Sequence, residues 1–107
     1  LLDDQALVIR HSDGLVVITG CAHSGVVNTL LHARKLMGDE RILAVLGGFH
    51  LEGADEEHVF AMVREIARLK PEHVYACHCT GLKAFCQLMS AFGPKFRRLG
   101  SGDVVEF

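Results

Sequence analysis

Three times along this chain of 107 residues, an apolar strand-like run leads into a short loop of glycine, histidine or cysteine, and then into a helix-like stripe. The three loops cover residues 20–23, 47–50 and 77–81. Such alternation of strands and helices predicts an α/β fold whose sheet has a largely parallel core covered by helices. The handedness rule for crossover connections then places the ends of the central strands, and all three loops, at one edge of the sheet.

Local signals predict the element order ββαβαβαββ within a single domain over residues 1–107. The Asp13-Gly14 pair is a hairpin turn signal between the first two strands. The unbroken apolar run over residues 41–46 is typical of a strand buried on both faces of a sheet. Gly38 is suited to end the first helix, because glycine readily adopts the left-handed conformation found after a helix.

The second half of the chain carries further capping and closing signals. Asp55 and Thr80 precede apolar stripes at helical spacing, and their side chains are suited to cap the second and third helices. Two short closing strands are predicted over residues 96–99 and 104–107.

Composition limits the class of protein. Half of the residues are hydrophobic and 22% are charged, which is typical of a globular chain. The net charge of -2 and the lack of a long basic run argue against a nucleic-acid partner. No apolar stretch has the length of a membrane span and no signal peptide pattern is present, so we expect a cytoplasmic protein with reduced cysteines and no membrane partner.

The three loops hold the residues with metal-binding chemistry. Ligands bind outside the carboxyl ends of the strands in open α/β sheets, and His23, His50 and His78 follow three different strands. Neutral imidazole and thiolate are natural ligands for zinc and related divalent metals, so Cys21 is a further candidate. Convergence at one edge predicts a metal site there.

The other histidines and one cysteine are predicted to be ordinary residues. His32 and His58 fall inside predicted helices, His11 lies in the hairpin turn and His73 starts a strand. Cys86 falls on the apolar stripe of the third helix and is predicted to lie in the core.

Two other sites compete with this prediction. Cys77 and Cys79 could form a structural zinc site, although they lack the C-x-x-C spacing of a redox or zinc-ribbon motif. Gly47 and Gly48 could belong to a phosphate loop, but the Lys-Ser/Thr pair of a P-loop is missing.

Four segments together resemble one branch of the metallo-β-lactamase superfamily. They are DQALVI at residues 4–9, GCAHSGVVN at 20–28, GGFHL at 47–51 and HCTG at 78–81. The branch includes metal-dependent hydrolases and proteins similar to the archaeal dihydropterin-linked ribofuranosylaminobenzene phosphate synthase. The resemblance covers essentially the whole chain, in order, and implies the C-terminal half of an αββα sandwich.

The resemblance also implies roles for particular residues. His78 matches the last conserved histidine of the superfamily. Cys21 and His23 fall where many relatives carry a bridging aspartate, so these two residues compete for one ligand position. His50 belongs to the branch motif as a ligand or a substrate contact. The implied metal is a divalent ion, with zinc expected first and iron or manganese as alternatives.

One departure from the family is large. The H-x-H-x-D-H signature of the first half is absent from these 107 residues, so we expect the chain to be inactive alone. In the complete protein the resemblance implies attack by metal-bound hydroxide on an ester-like or phosphate-containing substrate. Gly47, Gly48 and Thr80 are the predicted substrate contacts, with the glycine N–H groups facing an anion. The sequence identifies no general acid, and Glu52 and Asp55, which lie near His50 in the sequence, are the carboxylates to test for that role.

A non-enzymatic function is the alternative. The chain could be a stand-alone α/β module that binds a ligand or partner at the same strand edge. Half of a sandwich leaves one sheet face uncovered, and an uncovered apolar face promotes association. We therefore expect either a missing first half or a second copy of the chain as the partner.

Overall fold

The computed structural model of the chain describes residues 5–22, 25–39 and 41–106, with the backbone alone at His78. Its five strands are β1 (Ala6–His11), β2 (Gly14–Thr19), β3 (Ile42–Gly48), β4 (His73–Cys77) and β5 (Phe96–Arg98). Its three helices are α1 (Val26–Met37), α2 (Glu56–Arg68) and α3 (Leu82–Phe92). Short 3₁₀ turns at His78–Thr80 and Gly93–Lys95 precede α3 and β5.

The strands form one sheet in the order β1-β2-β3-β4-β5. The first pair is an antiparallel hairpin, and its register places His11 opposite Gly14 across the predicted turn. The other three pairs are parallel. The sequence prediction of an α/β fold with a largely parallel sheet is therefore confirmed.

All three helices pack on one face of this sheet. Inward-facing strand residues such as Leu15, Val17 and Val45 meet the buried stripes of the helices in one hydrophobic core. The helix residues in this core are Val26, Leu30 and Ala33 of α1, Val59, Val63 and Ile66 of α2, and Ala84, Phe85 and Leu88 of α3. This stripe of α3 turns Cys86 outward, so its predicted place in the core is wrong and the residue is exposed.

The opposite face of the sheet carries a second, smaller cluster. Val16, Leu43 and Tyr75 are buried there, and Leu99 and Val105 of the C-terminal segment pack against them. That segment follows β5 as a turn and coil, so the strand predicted over residues 104–107 is not formed in its described part, 104–106. Residues 104–106 have no strand partner, because the sheet ends at β5.

Two of three predicted helix caps are confirmed, and the third is wrong. Gly38 closes α1 in the left-handed conformation and donates its N–H to the carbonyl of Arg34. Asp55 caps α2 by accepting a hydrogen bond from the backbone N–H of His58 at 2.8 Å. The N-cap of α3 is Gly81 instead of Thr80, because the Thr80 hydroxyl is used in longer-range bonds described below.

None of the helices in the part of the chain that the structure describes combines the length and the apolar character of a membrane span.

Candidate metal-binding edge

The loops after β2, β3 and β4 meet at one edge of the sheet, as the parallel strands require. The N–H of Gly48 donates to the carbonyl of Gly20 at 2.9 Å, which joins the first two loops. The N–H groups of Leu51 and Glu52 both donate to the carbonyl of Cys79, at 3.1 and 2.9 Å, which joins the last two. Backbone hydrogen bonds therefore hold the three predicted clusters together.

Thr19 and Gly47 allow β2 and β3 to pack closely just before these loops. The Thr19 hydroxyl is buried and bonds the carbonyls of Leu46 at 3.2 Å and Gly48 at 2.9 Å, on either side of Gly47. A Cβ on Gly47 would overlap both the carbonyl and the hydroxyl oxygen of Thr19. Gly47 is therefore required for strand packing.

Two residues at this edge have left-handed backbone conformations, which are uncommon for residues other than glycine. Ala22 has φ 56° and His50 has φ 52°. Such conformations persist only where surrounding contacts enforce them, and they cluster at functional sites. Here they turn the chain sharply after β2 and β3, so that the polar loops remain at the strand ends.

The buried side chains of Phe49 and Thr80 fix the turn after β3. Phe49 is fully buried in the main core, and its N–H donates to the Thr80 hydroxyl at 3.1 Å. That hydroxyl in turn donates to the carbonyl of Cys77 at 2.8 Å. Thr80 is fully buried and both its hydrogen bonds are internal, so it supports the site from within the chain, and its contact with a substrate stays a prediction.

The two glycines predicted to face an anion end β3, directly before this turn. The N–H of Gly48 is already bound to Gly20, and the N–H of Phe49 to Thr80. Gly47 lies within the β3–β4 ladder opposite Ala76. The N–H groups of Gly48 and Phe49 therefore have acceptors inside the chain, and an anion-binding role of the two glycines stays a prediction.

Cys21 and Cys79 are neighbours at the centre of the edge. The Cys79 thiol donates to the carbonyl of Cys21 at 3.5 Å. Burial raises the pKa of the Cys79 thiol, and the adjacent Cys21 thiol raises it further, while a backbone N–H of His50 opposes both effects. Cys79 was not among the ligands predicted for this edge and was considered only for the alternative structural zinc site with Cys77. Its position directly after His78 was the sequence signal that pointed to it.

The predicted ligands are only partly within the described structure. Cys21 is half-buried and His50 is exposed at the strand ends. His23 and the side chain of His78 lie outside the described residues, although the backbone of His78 begins the 3₁₀ turn at this edge. Among the described side chains, no three His, Cys, Asp or Glu converge to hold a metal ion. The described part of the chain therefore presents an incomplete donor set.

The two carboxylates considered as general acids differ in their availability. Asp55 is engaged as the α2 cap, whereas Glu52 is exposed beside the edge. Glu52 also lies close to Gly81, where an added Cβ would be 2.9 Å from the Glu52 Cα.

A pocket of about 310 Å³ opens next to the edge, between the loops after β2 and β3 and helices α1 and α2. His50 and Asn28 line it, and so does His58 from the first turn of α2. His58 was predicted to be an ordinary surface residue. It lies in the first turn of the helix that follows the His50 loop, and this position was the signal for its place in the pocket.

Comparison with known proteins gives clear relatives. The chain is 34% identical over 105 residues to 7,8-dihydropterin-6-methyl-4-(beta-D-ribofuranosyl)-aminobenzene-5'-phosphate synthase of Methanocaldococcus jannaschii, covering 98% of this chain and 36% of that protein. It is 35% identical over 86 residues to an uncharacterized protein of the same organism, covering 80% of this chain and 30% of that protein. No protein-family model matches the chain.

A solved structure of known family also matches this chain in fold. The crystal structure of a metal-dependent hydrolase of the β-lactamase superfamily superposes with a TM-score of 0.89 at 38% identity. The match covers 96% of this chain and 40% of that one, so the chain spans two fifths of that relative, which is less than the predicted half. Identity and superposition over nearly all of its residues confirm the predicted resemblance, and the chain belongs to the metallo-β-lactamase superfamily.

Proposed function

We propose that this chain forms one side of the metal site of a metal-dependent hydrolase or related transferase. The observation that carries the proposal is that the loops carrying Cys21, His50 and Cys79 are hydrogen-bonded to one another at one edge of the sheet, where ligands bind in open α/β sheets. The described donor set is incomplete. The remaining ligands then come from His23, His78 and sequence corresponding to the rest of the relatives' length.

The donor chemistry favours zinc, with iron or manganese as alternatives. Thiolate and imidazole are preferred zinc ligands, and imidazole also suits iron. A bound divalent metal supplies a polarised, acidified water for hydrolysis. The proposed substrate is ester-like or contains a phosphate group, and the name of the synthase relative includes such a phosphate.

The chain's own residues position the donors. Thr19 and Gly47 hold β2 against β3, so the Cys21 loop lies beside the His50 loop. Phe49 and Thr80 fix the turn that carries His50. The pocket lined by His50 and His58 adjoins this edge, and we propose that it receives part of the substrate.

Metal uptake by the reduced chain tests the proposal. We expect the chain to bind zinc in competition with a chromophoric chelator, and His50→Ala and His78→Ala to weaken binding by about 10-fold or more, the usual effect of losing part of a metal site. Cys21→Ala is expected to act in the same direction. His32→Ala is the matched control, because His32 is exposed in α1, away from the edge.

Two results would contradict this function. One is the absence of zinc, iron and manganese uptake above background in the folded chain. The other is uptake that His32→Ala lowers as much as the edge variants do. Circular dichroism of each variant shows whether the fold is retained.

We further propose that the sheet face opposite the helices is a contact surface. Leu7 and Ile9 pair with Ile18 and Val16, so they extend the second cluster, yet they are 58% and 44% exposed. The cluster therefore continues into an uncovered apolar edge. In the chain alone, a second copy is the proposed occupant of this edge.

Light scattering of the purified chain checks this contact. We expect a mass above the 11.7 kDa of one chain, which Ile9→Lys returns to one chain. Leu36→Lys is the control, since Leu36 is exposed on α1 over the other face. A monomer at high micromolar concentration, or dissociation by both variants alike, would contradict the proposal.

A further inference from the structure

Cys21 and Cys79 are side by side in space, although 58 residues separate them in the chain. The Cys79 sulfur is 3.5 Å from the Cys21 carbonyl oxygen, to which it donates a hydrogen bond. A disulfide needs two cysteines whose backbones and side chains already approach each other. The contact between the Cys79 sulfur and the Cys21 backbone brings these two residues together just beyond the ends of β2 and β4.

Gly48 makes the approach possible. It ends β3, which lies between the two strands, β2 and β4, that precede the cysteine-bearing loops. A Cβ on Gly48 would be 3.0 Å from the Cys79 sulfur and 3.3 Å from the Cys21 Cα. The two residues therefore approach each other over a residue without a side chain, where the carbonyl oxygen of Gly20 also lies, 2.6 Å from the added Cβ.

The other two cysteines are placed differently. Cys77 ends β4 and is half-buried. Cys86 is exposed and lines a groove between α2 and α3 with residues such as Phe60 and Ala91. Cys77 and Cys86 therefore serve as internal references for any thiol chemistry.

We propose that Cys21 and Cys79 form a reversible dithiol–disulfide pair. Oxidation joins the loops after β2 and β4 across the end of β3. A disulfide would remove the Cys21 sulfur from the proposed metal ligands. The expected effect on metal binding therefore rests on the function proposed above. The pair would then link metal uptake to the oxidation state of the chain.

The oxidant is a peroxide. It converts one thiol to a sulfenic acid and releases one water. The second thiol attacks the sulfenic sulfur, the S–S bond forms, and the hydroxyl leaves as a second water. The two thiols lose two electrons and two protons in total, which the peroxide accepts. A small dithiol reductant reverses the step by thiol–disulfide exchange.

Peptide mapping of the chain after hydrogen peroxide treatment tests the pair. Cys21 lies in tryptic peptide 11–34, Cys77 and Cys79 share peptide 69–83, and Cys86 lies in 84–95. We expect a linked pair of the first two peptides that a dithiol reductant separates. Cys77→Ser is expected to retain the link, and Cys79→Ser to abolish it.

Several outcomes overturn the inference. They are free Cys21 in the oxidised wild-type chain, a link from Cys21 to Cys86, or a link that survives in Cys79→Ser. Fragmentation spectra of the linked peptides from the wild-type chain assign the bond to Cys77 or to Cys79, so they decide the matter even if a variant does not fold.

Zinc uptake separates this inference from the proposed function. We expect the oxidised chain to take up at least 10-fold less zinc than the reduced chain, in line with the loss of a ligand. Zinc uptake without any disulfide would overturn the inference and leave the proposed function intact. A disulfide in a chain that binds no metal when reduced would overturn the proposed function and the link to metal, and leave the cysteine pair established.

Discussion

Gly47→Ala is expected to lower the free energy of unfolding by about 4 kcal/mol or more, among the largest effects of a single substitution. Gly47 has φ 127°, a conformation that residues with a side chain rarely adopt. The added Cβ would also overlap the carbonyl oxygen of Thr19, which belongs to β2 and moves only if the sheet moves. Urea unfolding of both proteins measures the difference.

Gly53→Ala is the matched control for this experiment. Gly53 also has positive φ, 84°, but no atom lies within 4 Å of the position of an added Cβ. The control therefore carries the conformational cost of about 1–2 kcal/mol without the overlap. Equal losses in the two variants would show that close packing of β2 on β3 at Gly47 contributes nothing.

Phe49→Ala is expected to cost about 3–5 kcal/mol, the range for removing a buried aromatic side chain. Phe49 is 2% exposed and belongs to the main core. Its loss leaves a cavity directly beneath the turn that carries His50. We therefore expect a lower midpoint of urea unfolding and, in the variant that remains folded, weaker zinc uptake, because His50 loses its support.

Phe60→Ala provides the comparison, since Phe60 lies on α2 and is 53% exposed. Its only described aromatic contact is the guanidinium of Arg64, 5.7 Å from the ring centre, so its removal should cost less than about 1 kcal/mol. A Phe49→Ala variant as stable as Phe60→Ala would refute the placement of Phe49 in the core.

Together these two substitutions separate the scaffold from the ligands. Neither Gly47 nor Phe49 has a donor side chain, so an effect of either on metal uptake reports the geometry of the strand ends. If zinc uptake depends on His50 but not on Phe49, the turn after β3 adapts to the metal. If both matter, the turn is preorganised by the core.

Several features of the protein follow from local sequence alone. Alternating apolar runs and helical stripes predict the parallel sheet, because each pattern matches the period of its element. Gly38 and Asp55 end and begin their helices as predicted, since capping depends on residues only a few positions apart. The same local pattern, through the geometry of parallel strands, places the three polar loops at one edge.

Other features were decided by contacts between distant residues. Thr80 was predicted to cap α3, but its hydroxyl instead accepts the N–H of Phe49, 31 residues away, because that buried donor has to be satisfied. The turn predicted to bind an anion through Gly48 uses its N–H for Gly20 for the same reason.

Sequence by itself determined the class of fold and the edge where the chemistry collects, since both depend on local periodicity and chain direction. Tertiary structure alone decided that Cys79 meets Cys21 across 58 residues and that Gly47 must accommodate Thr19. These pairings depend on which atoms share a small volume after the strands have packed, and no local pattern carries that information.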